Sequence, residues 1–471
     1  MADTPWPWRA AALGLLSGGL SIGWLAGRSR AARAAVVAAS AATLGYVAPI
    51  ARASRRPPIR SLVDAPAAGE TTFSVVVAAR DEASVIERLV RDVASQDHRT
   101  ADARPLFELI VVDDRSIDGT GAAARAAAVA AGIHQVTRIE RRSGSGLPDG
   151  KGAALTAAQP ELCRGDVVVA LDADARIGPG FLRTLAGYVA GGADAITARR
   201  RIIDAGSSLL ARAQADEQTL DGELQRGRWA LGGCSEFRGN GIVVRRQLLS
   251  AVGGWRAEAL TEDLDLSSRL AAAHGVRVAW AVDAEVWEEP VGSWRSLWQQ
   301  RVRWAEGALR RAFEFGPSVL RSPQLPVKAR LDFALYVGQL AMPAVALGAL
   351  GAAVVRLRFI PVGALVAAYG GSSLTLAFDA LRWERSPDGR PLAAGERIGR
   401  ATLVSLFGVV WVAAVPAACW RMATRRGPVR YDKMAHGRNG PGQATPQPGT
   451  GTVPMGDRRA PAEAVAEGVA G

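Results

Sequence analysis

Cysteine, histidine and lysine are all scarce in this chain. Its 471 residues include 3 cysteines and 4 histidines. The cysteines, Cys163, Cys234 and Cys419, lie far apart, which argues against a disulfide framework or a CxxC zinc site. None of His98, His134, His274 and His436 is paired at metal-ligand spacing, and no Ser or Cys motif stands beside one. Nucleophilic triads and histidine-rich zinc chemistry are therefore disfavoured. Also missing is a basic stripe interleaved with aromatics of the kind that stacks nucleobases. The net charge of +12, from 57 Lys plus Arg against 45 Asp plus Glu, needs another explanation.

Long apolar runs supply it. Mean hydropathy is +0.08 with 49 % hydrophobic residues, and five uncharged runs carry the excess. They are Ala10–Gly27, Ala34–Ala51, Phe333–Val355, Phe359–Phe378 and Ala401–Trp420. Each is close to the roughly 20 residues a helix needs to cross a bilayer. Arg52, Arg55, Arg56 and Arg60 follow the second run, and Arg421, Arg425, Arg426, Arg430 and Lys433 follow the last. Basic residues beside apolar runs are expected on the cytoplasmic face, against anionic lipid. The expected layout is two membrane helices in 1–51, a linker over 52–70, an α/β domain over 71–310, about three spans in 331–420, and a tail over 421–471. That tail is basic at first and then, rich in Gly, Pro and Ala, disordered. One tension stands in this layout. Three spans after a cytoplasmic domain leave the basic tail outside, so either one run lies in the interface or a re-entrant element hides in 331–400.

Within 71–310 the texture alternates between strand and helix. FSVVVAA at 73–79, FELIVVDD at 107–114 and DVVVALDAD at 166–174 read as buried strands, and Thr120–Ala131 as a helix closed by Gly132. Short apolar runs separated by helices predict a parallel sheet with crossover helices. Ligands of such sheets bind beyond the carboxyl ends of the strands, where Asp113, Asp114, Asp172 and Asp174 collect. Close carboxylates repel unless a cation lies between them. A hard divalent ion, Mg²⁺ or Mn²⁺, bridging substrate phosphates suits an all-oxygen set. In Asp172-Ala173-Asp174 the outer side chains project to the same side if the segment is extended.

Lys151 stands out because the chain holds only three lysines, the others being Lys328 and Lys433. It sits in the loop Asp149-Gly150-Lys151-Gly152, where a compact ammonium reaches a phosphate or is simply solvated. Farther on come Gly239-Asn240-Gly241, Thr261-Glu262-Asp263 and the segment SWRSLWQQRVRW at 293–304. Trp294 and Trp298 share a helix face suited to the bilayer interface. Gln300, Arg303 and Trp304 form a second stripe suited to a polar ligand with a ring or phosphate.

Together, VVDD at 111–114, the Lys-Gly pair at 151–152, DAD at 172–174, TED at 261–263 and QRVRW at 300–304 resemble the membrane-embedded family 2 glycosyltransferases. Cellulose, hyaluronan and poly-N-acetylglucosamine synthases are examples. Five motifs in order, flanked by spans, are a strong signal. The resemblance implies a GT-A fold, a Rossmann-like nucleotide-sugar-binding α/β domain set between N- and C-terminal membrane helices. It implies that Glu82, Asp113 and Asp114 line the nucleoside pocket and that Lys151 contacts the diphosphate. Asp172 and Asp174 would hold the diphosphate through Mg²⁺ or Mn²⁺, and Asp263 would be the general base. Glu262, Gln300, Arg303 and Trp304 would close over the acceptor and the leaving diphosphate.

The expected activity is inverting transfer from a nucleotide sugar, UDP-linked by this resemblance, to a glycan acceptor. Expected partners are that donor, the acceptor and membrane lipids, and no nucleic acid. The expected setting is a bacterial inner membrane with the domain facing the cytoplasm. Two alternatives stand beside β-linked polysaccharide synthesis: transfer of one sugar to a lipid or carotenoid, and a catalytically silent membrane scaffold. Three positions depart from the family pattern. Asp81 stands where Asn is usual, Thr156 follows Ala154-Leu155 in place of Asn, and Glu306 replaces a basic residue after the Arg-Trp pair.

Overall fold

The computed structural model describes residues 4–56, 61–144, 148–386 and 388–425. The expected disordered tail, Arg60, Arg426, Arg430 and Lys433 lie outside the described residues. The chain opens with a helical hairpin, α1 (Trp6–Ala26) and α2 (Arg30–Ser54). Ser29 caps the second helix, its Oγ accepting from the Ala32 N–H at 3.3 Å, a favoured N-cap arrangement.

The α/β domain follows. In order come β1 (Phe73–Ala79), α3 (Ile86–Ala94), β2 (Phe107–Asp114), α4 (Thr120–Ala130), β3 (Thr137–Arg142) and α5 (Lys151–Leu155). Then come β4 (Val167–Asp172), β5 (Arg176–Ile177), α6 (Phe181–Ala190), β6 (Ala195–Ile202) and α7 (Leu209–Ala230). The domain ends with β7 (Ile242–Arg245), α8 (Glu262–His274), β8 (Ala279–Glu288) and α9 (Trp294–Arg321). The sheet order is β3-β2-β1-β4-β7-β6-β8-β5. Strands β1 to β4 pair in parallel, as the crossover helices require. The second half departs from the expected all-parallel sheet: β7 runs antiparallel to both β4 and β6, and β5 antiparallel to β8.

The buried runs alternate across the sheet. Val75, Val77, Leu109, Val111, Val169 and Leu171 face one apolar layer with Leu89 and Leu185. Val76, Ile110, Val112 and Val168 face the other with Leu155, Trp255 and Leu270. Registration places Ala79 beside Asp113 and Ala78 beside Asp172. The carboxyl ends of β1, β2 and β4 therefore form one level rim.

Three further helices complete the described chain: α10 (Val327–Arg356), α11 (Ile360–Trp383) and α12 (Ala394–Thr424). With α1 and α2 they are, among the described residues, the five helices long and apolar enough to cross a membrane. α1 and α10 run side by side in the same direction, Gly19 meeting Ala344, Gly23 meeting Val345 and Gly27 meeting Ala352. A Cβ on Gly23 would stand 2.1 Å from the Val345 carbonyl oxygen, so only glycine allows this approach.

Ion pairs tie the helices to the α/β domain. Arg228 of α7, completely buried, pairs with Asp332 of α10 at 2.8 Å. Glu223 of α7 pairs with Arg382 of α11 at 2.6 Å. Arg199 and Arg201 of β6 both reach Glu384, which follows α11. α12 is tied to the α/β domain along its length. Its Arg400 pairs with Asp216 of α7 at 2.5 Å, and Trp411 donates to Glu217 of α7 at 2.7 Å. Near its far end, Arg421 pairs with Glu306 of α9 at 2.5 Å. Both ends of α12 thus meet the α/β domain.

Candidate active site

Above the carboxyl rim of the sheet lies a cavity of about 2690 Å³. Of the residues singled out in the sequence, Glu82, Asp114, Lys151, Asp172, Asp174, Glu262, Asp263, Gln300, Arg303 and Trp304 line it. Asp113 does not. Neighbouring residues of a strand point to opposite faces, so Asp113 and Asp114 cannot share one crevice. Asp113 instead accepts from the Ser116 N–H at 3.1 Å and from Arg141 at 2.7 Å, bracing the loop after β2. Asp114 is held from the side by Arg142 at 2.8 Å and Arg115 at 3.0 Å.

The turn after β1 is tied to the loop after β2. The Asp81 N–H donates to Ser116 Oγ at 3.0 Å, and Asp81 Oδ1 accepts from the Ile117 N–H at 2.8 Å. The Glu82 N–H donates to Thr120 Oγ1 at 2.8 Å. Asp81 adopts φ of 50°, a left-handed conformation that Asn and Asp tolerate better than most residues. This explains how Asp serves where Asn is usual.

Asp172 ends β4, whereas Asp174 lies in a turn and not on the extended segment expected. The Ala175 N–H closes that turn on the Asp172 carbonyl at 3.0 Å. Lys151 sits between two acids, 2.5 Å from Asp172 and 3.2 Å from Glu262, and donates to the Gly239 carbonyl at 2.9 Å. Burial would lower the lysine's pKa, but Asp172 and Glu262 outweigh it and hold the ammonium above its ordinary value. Burial raises the Glu262 pKa, with Asp263 and Asp172 adding to the rise and Lys151 opposing it. Asp263, in the first turn of α8, accepts from the Gly239 N–H at 2.8 Å. The single residue Gly239, with φ of 57°, thus positions the carboxylate through its N–H and the lysine through its carbonyl.

Gln300, Arg303 and Trp304 occupy the first half of α9, as their spacing predicts. Trp304 stacks on Trp411 of α12 with ring centroids 6.5 Å apart, and the Arg301 guanidinium lies 4.4 Å from the Trp304 ring. Trp294 and Trp298 stay exposed. Glu306 is buried and accepts from Arg310 at 2.9 Å besides pairing with Arg421. Its carboxylate is where two helices are joined, which a basic residue could not do.

Sequence reasoning missed Arg200 and Glu288, which pair at 2.5 Å on the cavity wall. The signal was Arg199-Arg200-Arg201: in a strand the middle arginine faces away from its neighbours. Asn240 links this pair to the acids, its side chain accepting from the Asp172 N–H at 3.1 Å and donating to Glu288 at 3.4 Å.

Among the described residues no three His, Cys, Asp or Glu side chains gather to hold a metal by themselves. Asp172 and Asp174 offer hard oxygen ligands in an open cavity. That donor set fits Mg²⁺ or Mn²⁺, which bind through one or two carboxylates with substrate phosphates completing the shell. The cavity then continues past Trp304 into the helices. Its inner wall is formed by Leu340, Met342, Pro343 and Ala346 of α10, Leu365 and Val366 of α11, and Leu406, Val409, Val412 and Val415 of α12.

Comparison with known proteins agrees with this architecture. The model of the family "Glycosyltransferase like family 2" matches residues 70–307. The beta-monoglucosyldiacylglycerol synthase of Synechocystis sp. is 31 % identical over 378 residues, spanning 77 % of this chain and 74 % of the relative. The poly-beta-1,6-N-acetyl-D-glucosamine synthase of Staphylococcus aureus is 31 % identical over 114 residues, 24 % of this chain and 27 % of the relative. Among solved structures, the mannosyltransferase PcManGT of Pyrobaculum calidifontis, in complex with GDP-Man and Mn²⁺, superposes with a TM-score of 0.53 at 20 % identity. The match covers 79 % of this chain and 97 % of that one, a likeness of fold. With the level carboxylate rim, the matched model and a relative of this identity and coverage, the chain belongs to glycosyltransferase family 2 and is a GT-A-type transferase.

Proposed function

We propose that this glycosyltransferase moves one sugar from a nucleoside-diphosphate sugar to the hydroxyl of a lipid acceptor, with inversion, at the membrane surface. The observation that carries the reading is the continuity of the cavity. It runs from Asp172, Asp174 and Asp263 to a wall of apolar side chains on α10, α11 and α12. A hydroxyl at the acids and hydrocarbon at the far end is the shape of a lipid alcohol. The relative from Synechocystis, named for a glucosylated diacylglycerol, points the same way.

In this reading the nucleoside lies against Asp114 and Glu82, and the diphosphate lies near Asp172, Asp174, Lys151 and Arg303. A divalent cation held by Asp172 and Asp174 would neutralise charge on the departing diphosphate. Asp263 takes the proton from the acceptor hydroxyl as its oxygen attacks the anomeric carbon and the bond to the diphosphate breaks. Direct displacement inverts that carbon. Lys151, held charged by its acids, and Arg303 add fixed positive charge where negative charge develops. α1, α2, α10 and α11 cross the bilayer, while α12 lies along the interface beneath the catalytic domain, which faces the cytoplasm. This arrangement keeps Arg421 and Arg425 on the positive side and relieves the tension in the sequence layout.

The test is transfer of labelled sugar by detergent-purified protein over UDP- and GDP-sugars, with dioleoylglycerol or a glycan oligosaccharide as acceptor. Label in a lipid carrying a single sugar is the expected result. A lengthening glycan with no lipid product overturns the reading.

A further inference from the structure

The apolar end of the cavity lies where two helices change their winding. Helix α11 switches from α to π winding over Val366–Gly370, and α12 is interrupted at Gly408, between Phe407 and Val409. π-turns of this kind are frequent at functional sites. Between these breaks and the catalytic domain, the segments Gly371–Ala380 and Ala394–Phe407 pack on each other. Ser405 Oγ donates to Ser373 Oγ there at 3.1 Å.

Past the breaks the two helices take different partners. Ile360–Leu365 packs on α2 and α10, whereas Val409–Thr424 packs on α1, α9 and α10. Two helices that touch on one side of a break and separate beyond it leave a V-shaped gap. The gap's rim is apolar on both edges. Val366 is 65 % exposed, Leu406 66 % and Val409 61 %, yet all three also line the cavity. Cavity-lining side chains this exposed stand where the cavity is open rather than enclosed. Arg400, Trp411 and Arg421 fasten α12 to the catalytic domain, so the opening lies on that domain's side of the bundle.

We infer that this gap is the portal through which the acyl chains of the acceptor pass between the bilayer and the catalytic cavity. The inference rests on the lipid-acceptor reading above and adds the route. An acceptor entering here keeps its chains in hydrocarbon while its hydroxyl slides along the cavity toward Asp263. Entry from water would expose every methylene, and that free-energy cost grows with chain length.

The experiment compares the full-length wild type with Val366→Trp and Val409→Trp, each placing an indole on the rim. Val354→Trp is the control, on an exposed position of α10 outside the cavity. Transfer to dioleoylglycerol and to dioctanoylglycerol is measured with whichever nucleotide sugar the wild type turns over. We expect both rim variants to lose at least tenfold in kcat/KM on dioleoylglycerol and to regain most of it on dioctanoylglycerol, whose short chains need not extend through the gap. The control keeps wild-type rates on both. Unchanged transfer to dioleoylglycerol, or equal loss on both acceptors, overturns the portal. A wild type that glycosylates neither lipid but extends a glycan fails earlier, at the acceptor itself, so the two failures are distinguishable.

Discussion

Asp263 offers the sharpest test of the chemistry. Replacing it by Asn keeps the shape of the side chain and keeps an oxygen for the Gly239 N–H, now 2.8 Å from Oδ2. What weakens is a charge-assisted hydrogen bond, a stability cost of about 1 kcal/mol. What disappears is the capacity to accept the acceptor's proton. General-base catalysis contributes on the order of 10² to 10⁴ in rate, about 2.7 to 5.4 kcal/mol of barrier at 1.36 kcal/mol per factor of ten. The expected result is a variant that folds like the wild type and releases nucleoside diphosphate roughly 100 to 10,000 times more slowly with acceptor present. Glu262 is the internal competitor, buried one residue away and paired with Lys151. If Asp263→Asn retains turnover within tenfold while Glu262→Gln abolishes it, the base has been misassigned.

Chelation with EDTA should lower turnover by at least tenfold, with recovery on adding Mn²⁺ or Mg²⁺; indifference to EDTA would refute the role given to Asp172 and Asp174. Asp332→Ala leaves the fully buried Arg228 unpaired and frees the Tyr46 hydroxyl, now 2.9 Å from Asp332. A loss of about 3 to 5 kcal/mol follows, read as a lower thermal midpoint in detergent. Acid should weaken the junction between domain and helices. Burial would raise the Glu384 pKa, but Arg201 and Arg199 outweigh it and hold the carboxyl at about 2, below its ordinary 4.5. A depressed carboxylate stabilises above its ordinary pKa and loses that contribution as pH falls from about 4.5 toward 2. Tryptophan fluorescence should report unfolding in that window, and Glu384→Gln should shrink the pH-dependent part.

Strands β1, β2 and β4 were legible because they are buried on both faces and read as continuous apolar runs. β3 was not: TRIERR is an edge strand with charge on four of its six residues, and only its pairing with β2 identifies it. The antiparallel β7 follows from the turn at Gly239-Asn240-Gly241, whose glycines were visible but whose partner strands were not. Most of the candidate site could be listed from motifs, since acids gather at strand ends by a rule of topology. Asp113 was listed as well, although strand periodicity alone directs it away from Asp114. α12 shows the deeper limit. Its composition is that of a crossing helix, and only the positions of Asp216, Glu217 and Glu306, distant in sequence, reveal that it stays beside the domain.

The five ion-pair junctions described for the fold carry a consequence for how this enzyme can be divided. At two of them the α/β domain supplies the arginine and a later segment supplies the acid: Arg228 with Asp332, and Arg199 with Glu384. Arginine does not shed its proton at any physiological pH. A fragment ending before α10 would therefore leave Arg228 without the carboxylate of Asp332, and Arg199 with Glu285 alone. The catalytic half and the anchoring half are charge complements, and neither makes a finished molecule without the other.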